Sequence, residues 1–340
     1  MNATEKVTIK KETKNKIRVD FERTSAWTRF KIKYLSLNFL GLTVFKIFRL
    51  VLLLGVSYVI LFPFISKIAS SFMSPSDFVD STVKLIPKAP TLNTYKQIII
   101  ENKYFEALFN TTVLSLLCGI IQTFVCCVIG YGFGKYKFRG HKLLFALVLF
   151  TMVVPHQTLK LSMFMKFKYF DIYGILSLLP LEKLPDLTNS YWPLAILSAT
   201  GLAFKNGLYI YMMRQFFRGV PDSLEESAYI DGSGTFRTFV QIILPLSVPM
   251  IITVFLFAFS WQWTDSFYTR LFFTSRSSIL LSKIISIPRT LDTAYAGGNM
   301  FSAAIRNTCG LLIIAPLMIV FLFCQRYLIQ GIERSGITGE

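Results

Sequence analysis

Six mostly uncharged apolar runs recur along this chain of 340 residues and limit its fold more than any other feature. A helix needs roughly 20 apolar residues to cross the hydrocarbon core of a bilayer, and about 17 is the lower limit. With their flanking residues, the runs reach that length. They are Leu50–Ser66, Ala107–Gly134, Leu143–Phe164, Tyr191–Met213, Leu246–Tyr268 and Asn307–Cys324. The sequence therefore predicts an all-α integral membrane protein with six transmembrane helices.

The charge of the chain is concentrated at its N-terminus. Hydrophobic residues make up 53% of the chain and charged residues only 16%, which is typical of a membrane protein. Of the net charge of +17, residues 1–49 carry +8, from twelve Lys and Arg against four acids. A basic segment beside a first span indicates a cytoplasmic tail with affinity for anionic membrane lipid, so no nucleic-acid partner is expected. We predict a basic tail over 1–47, in which 34–48 forms either an interfacial amphipathic helix or a short extra span.

A short basic loop fixes the predicted orientation. Lys135 to Lys142, KYKFRGHK, holds four Lys and Arg and no acid, which places it in the cytoplasm by the positive-inside rule. Span counting from this loop puts both termini and the segment around 215–245 in the cytoplasm. The predicted organisation is a tail over 1–47, a six-span domain over 48–332, and a C-terminal tail over 333–340, in a multi-pass protein of the plasma membrane.

The segment Pro221–Pro249 separates two of the apolar runs and has the pattern of a helix, a tight turn and a second helix. Ser223 followed by Glu226 has the spacing of a capping box at a helix start. Gly232 suits the left-handed residue that ends such a helix. Pro245 marks the end of the second helix. The apolar positions that predict this second helix are Phe236, Phe239, Ile242 and Ile243. An interfacial hairpin without a partner is the alternative.

This segment resembles the EAA loop of ABC-importer permeases. Glu226-Ser227-Ala228 is followed by three residues, Gly232, nine residues, and then Ile242-x-Leu244-Pro245, which keeps the spacing of the family and departs from it at Ser227. Asp231-Gly232 and Pro249 are similar to the carbohydrate-uptake, maltose-type branch. The stretch Gln325-Arg326-Tyr327 before a Gly-containing tail also resembles that branch. The resemblance covers about 48–340.

The resemblance implies a permease subunit that moves a sugar or oligosaccharide by alternating access. The partners would be cytoplasmic ATP-binding subunits, a second homologous permease and an extracytoplasmic solute-binding protein. ATP and magnesium would be used by the ATPase, with no cofactor in this chain. Glu226, Ser227 and Ala228 would form the face that contacts the ATPase. Asp231 and Gly232 would belong to the turn, and Ile242, Leu244 and Pro245 would hold the second helix against the membrane domain.

No catalytic or metal constellation is visible in the sequence, so an enzyme is not expected. No phosphate loop, HExxH, GxSxG or CxxC motif occurs. All five cysteines fall in apolar segments without ligand spacing and are interpreted as packing residues. With only two histidines, His156 beside Pro155 is expected to pack or to form a hydrogen bond at a helix break. The glycines at 130, 132 and 134 are expected to allow close approach of another helix.

Two groups of residues are candidates for a substrate pathway. Lys205, with Asn206, is predicted about fifteen residues into the fourth span, where a charge either faces a cavity or snorkels to the interface. Trp261, Gln262, Trp263 and Asp265 combine aromatic faces with amide and carboxylate groups, as a sugar pathway requires. The alternative for the second group is an aromatic belt at the membrane interface. The family has a Trp-Asn-Asp-type stretch here, from which Thr264 departs.

Two other functions remain open at this point. The first is an importer permease for a non-sugar solute, because the loop does not read the substrate. The second is a stand-alone channel or membrane enzyme in which the loop has no ATPase partner.

Overall fold

A computed structural model describes residues 9–11, 17–19, 27, 37–172, 174–178, 183–275, 279–291, 293–295 and 297–337. The chain divides into two compact units, residues 1–66 and 67–340. In the first unit, strand β1 (Ile9–Lys11) pairs antiparallel with strand β2 (Ile17–Val19), with Ile9 opposite Val19. No strand occurs among the described residues from Leu37 onward. The all-α prediction is therefore confirmed for that part, and the short ribbon in the basic tail is an addition to it.

The first long helix, α1, runs from Leu37 to Ser71 and contains Pro63. From Leu37 it takes in the described part of 34–48, for which a separate interfacial helix or a short extra span was predicted, and neither separate element occurs there. The physical reason is that no helix-ending residue separates the segment from the first apolar run, since Gly41 alone weakens a helix without stopping it. The last helix likewise continues past the predicted tail boundary at 332, to Ile337.

The remaining helices all lie in the second unit. They are α2 (Asn93–Glu101), α3 (Tyr104–Lys135), α4 (His141–Val153), α5 (Lys160–Lys168), α6 (Trp192–Ala199), α7 (Asn206–Gly219), α8 (Ser223–Ile230), α9 (Thr235–Thr238), α10 (Leu244–Leu246), α11 (Val248–Thr264), α12 (Phe267–Phe272) and α13 (Gly298–Ile337). Short 3-10 turns occur at Pro75–Phe78, His156–Leu159, Leu176–Leu178 and Leu281–Lys283, and one π-helical turn occurs at Phe239–Ile243.

Three helices are long and apolar enough to cross a membrane, within α1, α3 and α13, among the residues described. The count rises to five if each of two bent pairs is one span. One pair joins α4 to His156–Lys168 at 89°, and the other joins Thr235–Leu246 to α11 at 75°. The chain is therefore a multi-pass membrane protein, and the predicted number of six stays a prediction.

The predicted continuous fourth span, Tyr191–Met213, is wrong. Helix α6 ends at Ala199 and α7 begins at Asn206. Between them, Gly201 has φ of +72° and Lys205 has φ of +70°, a left-handed backbone that a continuous α-helix does not contain. This run of the chain is two short helices joined by a break.

Pro245 shapes the end of the hairpin's second helix. A proline has no N–H for an α-helical hydrogen bond, and the preceding turn is π-helical, with the amide of Leu244 bonded to the carbonyl of Phe239. The helix then continues to Leu246, one residue beyond the predicted end, before the bend at Ser247.

Two glycines bring α3 and α7 into close contact. A Cβ atom on Gly130 would lie 2.5 Å from Cβ of Met213, and one on Gly134 would lie 2.9 Å from Cβ of Phe217. A Cβ on Gly132 would meet nothing within 4 Å. The predicted role in close helix approach is therefore confirmed for the first and third glycines and is wrong for the second, because it lies on another face of the helix.

The largest buried cluster is formed by α3, α7, α11 and the π-helical turn. Its large members include Tyr209, Met213, Phe217, Ile243 and Met250. The cysteines behave as the packing residues that were predicted, since all five are free thiols, four of them are buried, and Cys324 is half-buried.

Candidate functional site

A cavity of about 490 Å³ lies where several breaks in the helices meet. The break between α4 and the following 3-10 turn contributes Pro155 and His156, the segment before α7 contributes Phe204, and the end of α11 contributes Trp261 and Gln262. Trp261 and Gln262 lie in the last turn of α11, and the other three residues lie where a helix is interrupted or has not yet begun. The irregular backbone at these points thus builds the cavity.

Lys205 lies beside this cavity at the start of α7. Its Nζ atom is 4.8 Å from the centroid of the Phe204 ring and 5.1 Å from that of the Trp261 ring, and both rings line the cavity. Lys205 was predicted deep inside a continuous span, and that position is wrong because the helix is broken there. Lys205 itself is half-buried and is not a lining residue.

Asn206 and Trp263 lie outside the cavity lining. Asn206 is fully buried, and its side-chain amide has no hydrogen-bond partner among the described residues. Trp263 is buried, and its Nε1 donates a hydrogen bond of 2.9 Å to the carbonyl of Ile313 on α13. The Trp-Gln-Trp motif is therefore divided, because successive helical positions face in different directions. Trp261 and Gln262 face the cavity, and Trp263 faces a neighbouring helix.

Asp265 lines the cavity, but its carboxylate already has partners. Oδ1 accepts the backbone N–H groups of Phe267 and Tyr268 at 3.1 and 3.2 Å. Oδ2 accepts the backbone N–H and the hydroxyl of Thr269 at 2.8 and 3.1 Å. These are the free amides of the first turn of α12, so Asp265 caps this helix. The pathway role of Asp265 stays a prediction, and the structure gives its carboxylate a role as a helix cap.

His156 forms the hydrogen bond that was expected at the helix break. Its Nδ1 atom lies 2.8 Å from the hydroxyl of Tyr268. The imidazole also packs edge-on against Phe204, with ring centroids 5.0 Å apart. This contact ties the bend after α4 to the short helix α12.

The second site is the helical hairpin formed by α8, the turn and the segment Thr235–Leu246. The predicted capping box at its start is wrong. Ser223 is already inside the helix, with Asp222 in the preceding position, and no side chain caps the helix. The first amides bond instead to backbone carbonyls. The amide of Leu224 donates to the carbonyl of Pro221, and the amides of Glu225 and Glu226 donate to the carbonyl of Asp222.

The predicted role of Gly232 as the left-handed helix end is confirmed. Its φ is +79°, the amide of Ser233 donates to the carbonyl of Ala228 at 2.9 Å, and that of Gly232 donates to Tyr229 at 3.1 Å. This pair of bonds is a Schellman motif. Asp231, the C-cap residue, is exposed beside it.

The hairpin exposes apolar side chains together with part of the predicted contact face. Glu226 and Ser227 are exposed, but Ala228 is buried, so the prediction that it shares their face is wrong in this structure. The reason is helical geometry, because Ala228 follows the buried Glu225 by three positions and lies on the same side as it. The large exposed apolar side chains of the hairpin are Leu224, Tyr229, Ile230, Phe236, Val240 and Leu246.

The end of the hairpin is anchored in the membrane domain. Ile242 and Leu244 are half-buried and pack against the large core cluster, whereas Pro245 is exposed.

A charge cluster that the sequence analysis missed holds the start of the hairpin, with the side chains of Lys135 and Glu225 buried and that of Asp222 exposed. The side chain of Lys135, only 5% exposed, lies 2.6 Å from Oδ1 of Asp222 and 3.4 Å from Oε2 of Glu225. Lys135 also donates to the carbonyl of Val220 at 2.6 Å, and Tyr131 donates to Glu225 at 2.7 Å. The hydrogen bond from Lys135 holds the pKa of the Asp222 carboxyl below its usual value. The sequence does contain a signal for this cluster, because Lys135 ends one helix and the acids Asp222 and Glu225 stand at the start of another.

No group of three or more potential metal ligands occurs in the part of the chain that the structure describes. The cavity has polar groups that suit binding of a solute rather than covalent chemistry.

Comparison with known proteins identifies the family. Residues 127–334, more than half of the chain, match the family described as binding-protein-dependent transport system inner membrane component. The chain belongs to this family. Its members are membrane components of transport systems and are not enzymes themselves, and the resemblance to importer permeases is thereby confirmed.

Several relatives of this family member are similar over most of their length. The polygalacturonan/rhamnogalacturonan transport system permease protein YtcP of Bacillus subtilis is 25% identical over 84% of this chain and 96% of its own. The galactooligosaccharides transport system permease protein GanQ of Bacillus subtilis is 27% identical over 86% and 95%. The maltodextrin transport system permease protein MalD of Streptococcus pneumoniae is 27% identical over 84% and 93%.

A solved structure supports the fold of this family member. It is the crystal structure of a bacterial ABC transporter involved in the import of the acidic polysaccharide alginate. The match has a TM-score of 0.65 and 20% identity, and it covers 84% of this chain and 96% of the other. The fold is therefore that of an ABC-transporter membrane subunit.

Proposed function

We propose that this chain is one permease subunit of an ATP-driven ABC importer that translocates a sugar or oligosaccharide by alternating access. Family membership gives the transport role, and the named substrates of three similar proteins are all saccharides. The energy for transport comes from a separate ATPase that uses ATP and magnesium, and the chain itself holds no cofactor.

The proposed topology has six spans with both termini in the cytoplasm. The long and bent helices supply five crossings, and α6 with α7 supplies the remaining one as a broken span. The basic residues from Lys135 to Lys142 support a cytoplasmic position for the loop after α3. With six spans, the hairpin follows an inward crossing and faces the cytoplasm.

One observation carries the proposed ATPase contact, namely the exposed apolar side chains at the tip of the hairpin. Ile230 is 86% exposed and Phe236 is 80% exposed, although the surrounding segment is polar. Apolar residues on a short helix fit a groove on a partner protein. We assign this partner as the ATP-binding subunit, contacted also by Glu226 and Ser227, with Gly232 setting the turn.

The cavity beside Trp261 and Gln262 is the proposed part of the solute pathway in this subunit. Six spans are few for enclosing an oligosaccharide alone, so a second homologous permease completes the pathway. A solute-binding protein on the outer side delivers the sugar, in keeping with the description of the family.

Purification of the tagged chain from its native membrane in mild detergent tests the assembly. We expect mass spectrometry to find an ATP-binding protein and a second multi-span permease in the purified material. Recovery of this chain alone, even after cross-linking, would contradict the proposed complex.

A substitution in the turn tests the coupling role. Gly232→Pro is incompatible with φ of +79°, so the turn distorts and we expect uptake of a panel of labelled solutes to be lost with the protein still in the membrane. Gly234→Pro is the matched control, because φ there is −77°, which proline accepts. Normal uptake in the Gly232 variant would argue against coupling through the hairpin, and uptake of only non-sugar solutes would contradict the substrate class.

A further inference from the structure

Two hydrogen-bond donors, one in the cavity wall and one beside it, have no acceptor among the described residues. The Lys205 ammonium contacts the faces of Phe204 and Trp261, and no carboxylate in the described part of the chain lies within 4.0 Å of it. The Nε2 group of Gln262, which lines the cavity, is buried and has no hydrogen-bond partner among the described residues. A buried unpaired donor is costly and indicates a place for a ligand acceptor.

No carboxylate of the described cavity lining is free to pair with this ammonium. Asp265 is the one carboxylate that lines the cavity, and all four of its short contacts go to the first turn of α12. A carboxylate accepts hydrogen bonds only, and it carries the charge opposite to that of the unpaired ammonium. The free donors therefore match an anionic ligand better than a neutral one.

The backbone at Lys205 supports the same conclusion. A φ of +70° is uncommon for a residue other than glycine, and Lys205 adopts it beside the two rings that its ammonium contacts. A flexible four-carbon stem lets the ammonium move from the rings to a nearby anion without a change in the backbone. Strained backbone of this kind recurs at ligand sites.

We propose that Lys205 and Gln262 form a binding site for the carboxylate of an acidic sugar, such as a uronic acid unit. The ammonium pairs with the carboxylate, and the amide N–H group donates to the same anion. The faces of Trp261 and Phe204 pack against the sugar ring. This inference rests on the proposed function, because it takes the cavity to be part of a sugar pathway.

The test is uptake by cells that lack this chain and are complemented with wild type or variants, in the presence of the complete transporter. The two labelled probes are an α-1,4-linked galacturonic acid trimer and its neutral galactose counterpart. Lys205→Met retains the backbone conformation and an unbranched side chain of nearly the same length, and it removes the charge together with its N–H donors. We expect uptake of the acidic trimer at low concentration to fall about tenfold or more, as for loss of a charged hydrogen bond. We expect Lys205→Arg to retain most of it.

Lys168→Met is the matched control. Lys168 is also half-buried, and its Nζ lies 5.6 Å from the centroid of the Phe164 ring. Phe164, unlike Phe204 and Trp261, does not line the cavity. We expect uptake by this variant to match wild type.

The outcomes separate this inference from the proposed function. Selective loss of acidic-trimer uptake in Lys205→Met supports it. Uptake of the neutral trimer alone by wild type, or equal loss of both sugars in the variant, overturns the inference and leaves the sugar-importer proposal intact. Uptake of neither trimer nor any other saccharide by wild type overturns both.

Discussion

The ammonium of Lys135, the last residue of α3, lies 2.6 Å from the carboxylate of Asp222, which immediately precedes α8. Glu225 is the second acid of this cluster, 3.4 Å from the same ammonium, and its side chain is 10% exposed. The hairpin is therefore joined to the membrane domain by ionic contacts as well as through the chain itself. The burial of Lys135 and Glu225 makes this cluster different from an ordinary surface ion pair.

Removal of the lysine charge should loosen the hairpin. Lys135→Met leaves Glu225 buried without its cation, and breaking such a pair costs about 3 kcal/mol. We expect a lower thermal midpoint of the detergent-solubilised protein and faster proteolysis of the hairpin. Lys142→Met, an exposed lysine in the same basic loop, is the control and should behave as wild type. Equal effects of the two changes would show that net charge, and not this contact, is responsible.

The Asp222 contact should depend on acidity. Because the folded pKa of Asp222 is lowered by the Lys135 hydrogen bond, its contribution to stability is complete above the ordinary Asp pKa of 3.8 and is lost as pH falls through the lower folded value. We expect the thermal midpoints of wild type and Asp222→Asn to differ at neutral pH and to converge below pH 3.8. A difference that stays constant into that acid range would rule out an ionic origin.

The glycines of α3 should respond to alanine with opposite signs. Gly130→Ala places a methyl group against Met213 and should destabilise the protein by about 1–3 kcal/mol, as overpacking does. Gly132→Ala meets no neighbour and should be neutral or stabilising, by up to about 1 kcal/mol from helix propensity. Thermal unfolding in one detergent compares them directly. Destabilisation by both changes would contradict the close contact assigned to one face.

The two tryptophans of the Trp-Gln-Trp motif should also differ. Trp263→Phe removes the hydrogen bond to the Ile313 carbonyl and leaves that buried acceptor unpaired, at a cost of about 1–3 kcal/mol. Trp261 lies in the cavity wall, is half-exposed, and makes no hydrogen bond through its indole within the described structure. Trp261→Phe should therefore leave stability nearly unchanged. Solute uptake should show the reverse order, with the larger loss in the Trp261 variant. Equal stability losses would mean that both indoles are structural.

The sequence predicted the class of protein and the hairpin because both depend on local patterns. Apolar runs of span length and the spacing from Glu226 to Pro245 are readable without tertiary information. The left-handed end at Gly232 follows from the single residue type that accepts it without strain. The same reasoning placed His156 at a helix break, since proline beside it interrupts hydrogen bonding.

The parts that failed depend on contacts between distant segments. The break before α7 involves a lysine in a left-handed conformation, and no local pattern predicts that a non-glycine residue will take it. Lys135 was interpreted only as a topology signal, because its pairing with Asp222 and Glu225 requires that α3 and α8 meet. For Ser223, capping was the local expectation, but backbone carbonyls took up the free amides. The pathway role of Asp265 stays a prediction, and its use as the cap of the short helix after it was not foreseen.

The close approach of α3 and α7 at their glycines has a mechanical consequence. Both helices run toward the hairpin, and their contacts at Gly130 and Gly134 leave no room for one to slide past the other. Helix α7 continues along the chain into the hairpin, and helix α3 holds the hairpin through Lys135. Two helices packed side by side resist bending better than either helix alone. A force on the hairpin would therefore tilt the two helices together, and α3 also carries Gln122, which lines the cavity.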